Sequence, residues 1–234
     1  MGKMLAPLLA GLTEEEQEHM RTSPCCRQAT YQKGETIFRA GTMTKEMGMV
    51  LSGMVYIENI DLWGDRSILS SVSEGQVFGE TYALCREPLM VDAVAAEDCT
   101  LLFLHTEKLL QAQEAQEPWA IKIMGNMLRV SMQKNLTLST RIFCTSGKTI
   151  RSRLLTYLTY QSVKNGSTTF QIPFNRQQLA DYLNLDRSAL SKELGKMQQE
   201  GLITFYKNSF KLCQSMTHDD TKQYKDANDK RLRL

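Results

Sequence analysis

No stretch of this 234-residue chain comes near the roughly 18–20 consecutive apolar residues that a membrane-spanning helix needs. The opening MGKMLAPLLAGLTEEEQEHM has one Lys and a short apolar patch before it turns acidic, without the apolar core and cleavage site of a secretory signal. A cytoplasmic protein with no membrane partner is expected. An excess of one charge is also missing: 28 Lys and Arg against 26 Asp and Glu leave a net +2. Any contact with nucleic acid must come from basic residues gathered locally. Histidine is scarce, at His19, His105 and His218, and no His-x-His pair exists to carry a catalytic metal. No nucleophile stands beside a recognisable base. An enzyme, a catalytic residue and a metal site are therefore not expected.

The cysteines Cys25, Cys26, Cys85, Cys99, Cys144 and Cys213 form no Cys-x-x-Cys pair and no repeated spacing, as free thiols in a reducing cytosol would. Adjacent Cys25 and Cys26 leave a redox handle or metal ligation open, although a disulfide between neighbours is strained.

What is present has the texture of an ordinary globular chain, 42% hydrophobic and 23% charged, long enough for one large domain or two small ones. The first segment reads as a helix, with Thr13 and Glu16 spaced as a capping box and Leu12 just before it. From about residue 30 to residue 105, short apolar stretches alternate with glycine-marked turns at Gly34, Gly41, Gly53, Gly64, Gly75 and Gly79. Many short strands at that spacing predict an antiparallel barrel or sandwich, with 61–65 in a hairpin loop and Met43, Met47, Met49 and Met54 in the core. From about 118 to 143 the period becomes helical. Ile121, Met124, Leu128, Ser131, Asn135, Leu138 and Ile142 follow a 4-3-4-3 spacing, a heptad seam with polar breaks. A helix of about 26 residues is about 39 Å long, more than a small barrel covers. A parallel homodimer through Ile121, Met124, Leu128, Asn135, Leu138 and Ile142 is expected, with packing onto its own domain as the alternative. Residues 145–148 read as a hinge, TIRSRLLTYLTYQSV as a helix and TTFQIP as a short strand.

The strongest signal is FNRQQLADYLNLDRSALSKELGKMQQEGLITFYKNSFKL. Asn175 and Gln178 suit a cap and its partner. Leu179 and Leu183 make an apolar stripe with small Ala180 between them. Asn184 sits where the chain must turn, and Asn tolerates left-handed backbone. Leu185 plugs the corner, and Asp186 caps a second helix. In that helix Leu190, Leu194 and Met197 share one face, while Ser188, Ser191, Lys192 and Gly195 share the other, with Arg187 at the start. A short, polar and basic face is what a major-groove helix needs. A hairpin wing comes next, with Lys207 and Lys211 placed for phosphates. Asn175, Arg176, Gln177, Arg187, Ser188, Ser191, Lys192 and Lys207 are the DNA-contact candidates, and double-stranded DNA is the expected partner. A regulatory module that binds a ligand without acting through DNA is the competing class.

A small β-domain, a long helix and a two-helix reader with a wing, in that order from about residue 8 to residue 212, resemble the CRP/FNR family of bacterial transcription regulators. NRQQLADYLNLDRSALSKELGKMQQEGLI carries the resemblance most specifically; QKGETIFRAGT, VLSGMVYI and GQVFGE add to it in order. The resemblance implies an α+β chain: an effector-sensing jelly roll of cyclic-nucleotide-binding type over 1–116, a dimerisation helix and hinge over 117–144, a winged helix-turn-helix over 145–214, and a charged tail over 215–234. It also implies contact with RNA polymerase and base contacts from Arg187 and Lys192, with Ser188 where the family often has Glu.

In that family a Gly-Glu turn and a later Arg-Ser pair clasp a cyclic phosphate. Here Gly79 and Glu80 stand at the turn, but the Arg-Ser positions fall on Met90 and Val91, with acidic Asp92 immediately after them. An anion site needs positive charge or several N–H donors, and Arg86 is expected to face solvent. Cyclic AMP is not expected as effector, nor is an iron–sulfur cluster, since Cys25 and Cys26 are adjacent rather than spaced. No cofactor is predicted. An apolar pocket for a small apolar effector, built from Gly79, Glu80, Tyr82, Leu89, Met90, Val91 and Leu128, is set against the alternative that these side chains fill the core.

Overall fold

The computed structural model describes residues 6–60 and 66–213, with Ile60 in its backbone alone. The expected hairpin loop at 61–65 and the charged tail at 215–234 lie outside the described residues. The chain divides into two compact units, Met1–Gln133 and Lys134–Leu234.

The first unit opens with a 3-10 turn, Pro7–Leu9, and helix α1, Glu14–Thr22. The Thr13–Glu16 capping box is formed in both directions. Then come strands β1 (Cys26–Tyr31), β2 (Thr36–Phe38), β3 (Glu46–Ser52), β4 (Met54–Ile60), β5 (Arg66–Ser73) and β6 (Val77–Phe78). Helix α2 (Glu80–Cys85), strands β7 (Asp92–Ala95) and β8 (Cys99–His105), and helix α3 (Thr106–Glu114) complete the series. The strands form two antiparallel sheets ordered β1-β8-β3-β6 and β2-β7-β4-β5, the double-sheet plan of a jelly roll.

Strands β3 and β8 are buried on both faces. Along β8, Leu101 and Phe103 enter the core between the sheets with Val50, Val55 and Ala95. Leu102 and Leu104 point the other way, into a second core with Met47, Met49, Leu8, Met20, Trp119 and Ile123. Period-two alternation with both faces covered explains why CTLLFLH reads as an unbroken apolar run. Met47 and Met49 are core residues as expected, but Met43 is 58% exposed. It lies in the turn between β2 and β3, where no sheet face covers it.

Helix α4 spans Pro118–Thr145, two residues beyond its expected end. Trp119, Ala120, Ile123 and Met127 are its buried face in the first unit. Asn126, also buried, donates to the carbonyls of Leu8 and Ala10 at 2.9 and 2.7 Å, which ties the amino-terminal turn to the helix.

The second unit contains α5 (Ile150–Asn165), β9 (Thr169–Gln171), α6 (Arg176–Leu183), α7 (Arg187–Gln199), β10 (Ile203–Tyr206) and β11 (Ser209–Leu212). The three strands form one sheet, β10-β11-β9. Leu154, Tyr157 and Leu158 of α5, Leu179 and Leu183 of α6, Leu190, Leu194 and Met197 of α7, and Phe210 of the wing share one core.

Gly79, between β6 and α2, has φ of 75°. A Cβ there would lie 2.8 Å from the Phe38 ring. Backbone strain and collision coincide, so Gly79→Ala is expected to destabilise the first unit by about 1–3 kcal/mol. A urea titration against the parent chain measures it, and an unchanged midpoint counts against this account.

Candidate nucleic-acid interface

The reading head is built from three local devices. The side chain of Asn175 accepts from the Gln178 amide, and Gln178 returns the bond to the Asn175 amide, both at 2.9 Å. Asn184 ends α6 in the left-handed region, φ 52° and ψ 55°. Leu185 packs on the core at the corner, and Asp186 caps α7 by accepting from the Ala189 amide at 2.8 Å. Leu190, Leu194 and Met197 are then fully buried, which turns Arg187, Ser188, Ser191 and Lys192 outward into solvent. A side chain added at Gly195 would meet no atom within 4 Å, so the outer face of α7 is open to close approach.

Ser188 is less free than the other three, because its hydroxyl donates to Asp186. Its lone pairs remain open to a donor. The capping bonds from Ser188 and from the Ala189 amide hold the Asp186 carboxyl below the usual carboxylate range. At the wing tip, Lys207 is exposed with φ of 52°. Its ammonium lies 5.6 Å from the centroid of the Tyr206 ring.

Arg176 is placed differently from the expectation of a DNA contact. Its guanidinium lies 5.0 Å from the centroid of the Phe205 ring and 5.6 Å from that of Phe210. It also donates to the carbonyl of Lys207 at 3.0 Å. The wing aromatics and the flat guanidinium suit each other, and in this chain Arg176 fastens α6 to the wing. Asn175 is exposed with its side-chain oxygen engaged as the cap, and Gln177 bonds Asp181 at 2.8 Å.

Arg151 is a determinant that sequence reading missed. From α5 its Nε reaches Glu193 at 2.6 Å, and its two terminal nitrogens reach Glu200 at 2.7 and 2.9 Å. Those ion pairs raise its pKa and lower that of Glu200. Glu193 lies on α7 and Glu200, seven residues later, caps its end. Two acids at that spacing, preceded by an Arg-rich helix, were the available signal. The fork ties α5 to α7 and to the residue that follows it.

The residues expected to form an effector pocket are not gathered into one setting. Gly79 starts α2 and Glu80 is buried. Leu89 is buried, with its backbone paired to the 41–42 turn. Tyr82 and Val91 are half-buried, Met90 is 77% exposed and Leu128 is 60% exposed. Arg86 faces solvent as expected, 3.7 Å from Glu107. Asp92 is buried, and its carboxylate accepts from the Ala40 amide at 2.7 Å. Glu58 faces it across β4 and β7; its buried Oε2 has no hydrogen bond, with Arg66 at 4.0 Å. His105 is half-buried at the end of β8, and its Nδ1 is buried without a hydrogen bond.

Along α4, Ile121, Leu128 and Met132 in the first unit and Leu136, Leu138 and Ile142 in the second are exposed. Met124 is half-buried and Asn135 exposed.

The second unit is thus a winged helix-turn-helix that presents a basic, small-residue face, a duplex reader by class. The cyclic nucleotide-binding domain family matches residues 28–116, and the Crp-like helix-turn-helix domain family matches residues 152–214. The cyclic AMP receptor protein of Thermus thermophilus is 26% identical over 199 residues, covering 85% of this chain and 88% of that protein. The transcriptional activator protein anr of Pseudomonas aeruginosa is 24% identical over 213 residues, covering 86% and 82%. The regulator CLP of Xanthomonas campestris shares the fold at a TM-score of 0.52 and 19% identity, over 86% of this chain and 99% of that one. The chain belongs to the CRP/FNR family of transcription regulators.

The Asp186 cap generates a prediction. Asp186→Ala removes the acceptor at the start of α7 and is expected to lower the unfolding midpoint of the second unit. Asp186→Asn, which keeps a good cap, should recover most of it. Because the folded pKa of Asp186 is lowered, its contribution is full above the unfolded carboxyl value, about 4. It is lost as pH falls through the folded value. The stability gap between the parent and Asp186→Ala should therefore narrow as melts are taken from pH 7 towards acid, while the gap between the two variants, neither of which titrates at this position, stays constant.

Proposed function

We propose that the chain is a homodimeric, sequence-specific transcription regulator that reads a near-palindromic duplex site. The observation that carries this reading is the outward face of α7, where Arg187, Ser191 and Lys192 stand exposed behind a capped helix start. Backbone donors at that start favour phosphate, and Arg and Lys suit guanine edges. The Lys207 wing tip adds a phosphate contact.

The dimer reading rests on the exposed apolar stripe of α4, whose residues recur at heptad spacing. Two copies of α7 then enter successive major grooves about one turn apart. RNA polymerase is the protein partner, the cytoplasm the compartment, and the chain has no catalytic role. The four-part division at residues 116, 144 and 214 is part of the same proposal.

Cyclic AMP is not the effector in this reading, and no cofactor is required. The positions of the phosphate clasp carry Met90 and Val91, Asp92 is committed to the Ala40 amide, and Arg86 is turned to Glu107. The effector is instead a small apolar molecule held near Tyr82 and Leu89. The competing class, a ligand-binding module that does not act through DNA, leaves the exposed basic face of α7 without a purpose.

Fluorescence anisotropy with duplex DNA tests the reading. Arg187→Ala is expected to relax site preference and weaken the preferred site by about 1–3 kcal/mol. Unchanged preference would remove Arg187 from the role, and binding without salt dependence would remove the DNA reading itself. Leu138→Lys should convert the dimer to monomer in sedimentation velocity; an unaltered dimer places the interface elsewhere. Calorimetry with cyclic AMP should give no heat of binding, and micromolar binding would overturn that part.

A further inference from the structure

We propose that Arg141, on the last turns of α4, is a positioning residue for the recognition helix, acting through the corner between α6 and α7. The inference rests on the DNA reading above. The last carbonyls of a helix lack intrahelical partners, and in a reader this end of α6 aims the next helix. Here two arginines take four successive carbonyls. Arg141 Nη2 donates to Asp181 at 3.2 Å and Arg141 Nε to Tyr182 at 3.2 Å. Arg153 Nη1 donates to Leu183 at 3.2 Å and to Asn184 at 3.0 Å. Arg141 Nη2 also reaches Oδ1 of Asn184, the residue whose left-handed backbone makes the turn, at 3.3 Å. Two positive charges meet the negative end of the α6 dipole. Asp186, which starts α7, is two residues further on.

The segment 145–148, expected as a hinge, is fastened in the same arrangement. Arg153 Nε donates to the Gly147 carbonyl at 2.7 Å. The Ser146 hydroxyl returns to Phe143 at 2.8 Å, and the Thr145 hydroxyl to Arg141 at 2.9 Å. A Cβ on Gly147 would overlap Ser152 Oγ and lie 3.1 Å from the Arg153 amide, so the glycine is required by close packing against the start of α5. The last turn of α4, the linker and the reader corner therefore behave as one piece. A rotation of that last turn is carried to Arg187 and Lys192 through Arg141, rather than absorbed between residues 145 and 148.

Arg141 is exposed, so its removal opens no cavity, and its guanidinium is committed to carbonyls rather than to solvent. A phosphate contact and a positioning role make opposite forecasts. The experiment uses the full chain and two duplexes, one selected from a random library by the parent protein and one scrambled. For Arg141→Ala, affinity for the selected duplex should fall about tenfold, the size of one poorly met base pair. Affinity for the scrambled duplex should stay within about twofold, with the salt slope unchanged. Amide exchange at residues 184–189 should quicken. Arg141→Lys, which keeps the charge and loses the fork, should resemble Arg141→Ala. The proposal is overturned if both duplexes weaken together with a slope shallower by about one, which marks a phosphate contact. It is equally overturned if Arg141→Lys binds like the parent, or if site preference and exchange do not change. Should Arg141→Ala fail to fold, Asn184→Gly, which keeps the left-handed turn and removes the Oδ1 acceptor, must show the same selective loss. Absence of duplex binding by the parent chain would instead strike the DNA reading.

Discussion

Much of this chain depends on α4 burying one face and leaving the other uncovered. Trp119, Ala120, Ile123 and Met127 are committed to the core beneath β3 and β8, and Cys144 to the core of the second unit. Leu128, Leu138 and Ile142 remain in water. The same helix supplies Arg141, which donates to the carbonyls of Asp181 and Tyr182 at the end of α6.

The course of the turn that opens at Gly79 is set by the backbone and by the ring that crowds it. Gly79 makes the left-handed entry to α2, and the Phe38 ring forbids a side chain there. Beyond α2, Met90 lies at the surface, and Asp92 anchors the Ala40 amide. A carboxylate that accepts a backbone donor stabilises the loop it faces. The backbone of the turn and the charge beside it are therefore separable properties, set by different residues.

The reader was the most legible part of the sequence because its signals are local. Asn175 with Gln178, Asn184 and Asp186 act within a few residues of themselves, and backbone geometry leaves them few alternatives. The burial of Leu190, Leu194 and Met197 followed from helical period alone. The two-sheet roll was legible in outline, because glycine-marked turns and alternating strands permit few architectures. Met43, grouped in the core by its neighbours' example, lies in a turn where period two no longer applies.

The amino-acid order by itself determined where helices start and stop, which faces are apolar, and that basic residues cluster on one outward surface. Only the tertiary structure decided what each long side chain does there. Arg176, Arg151 and Arg141 are indistinguishable in sequence from groove-reading arginines. They are respectively a brace against Phe205 and Phe210, a fork on Glu193 and Glu200, and a clasp on the α6 carbonyls. The reason is reach: a guanidinium on a flexible stem can serve any acceptor within several ångströms. Which acceptor lies there is set by helices that meet from positions about 30–50 residues apart, a distance over which local propensity carries no information.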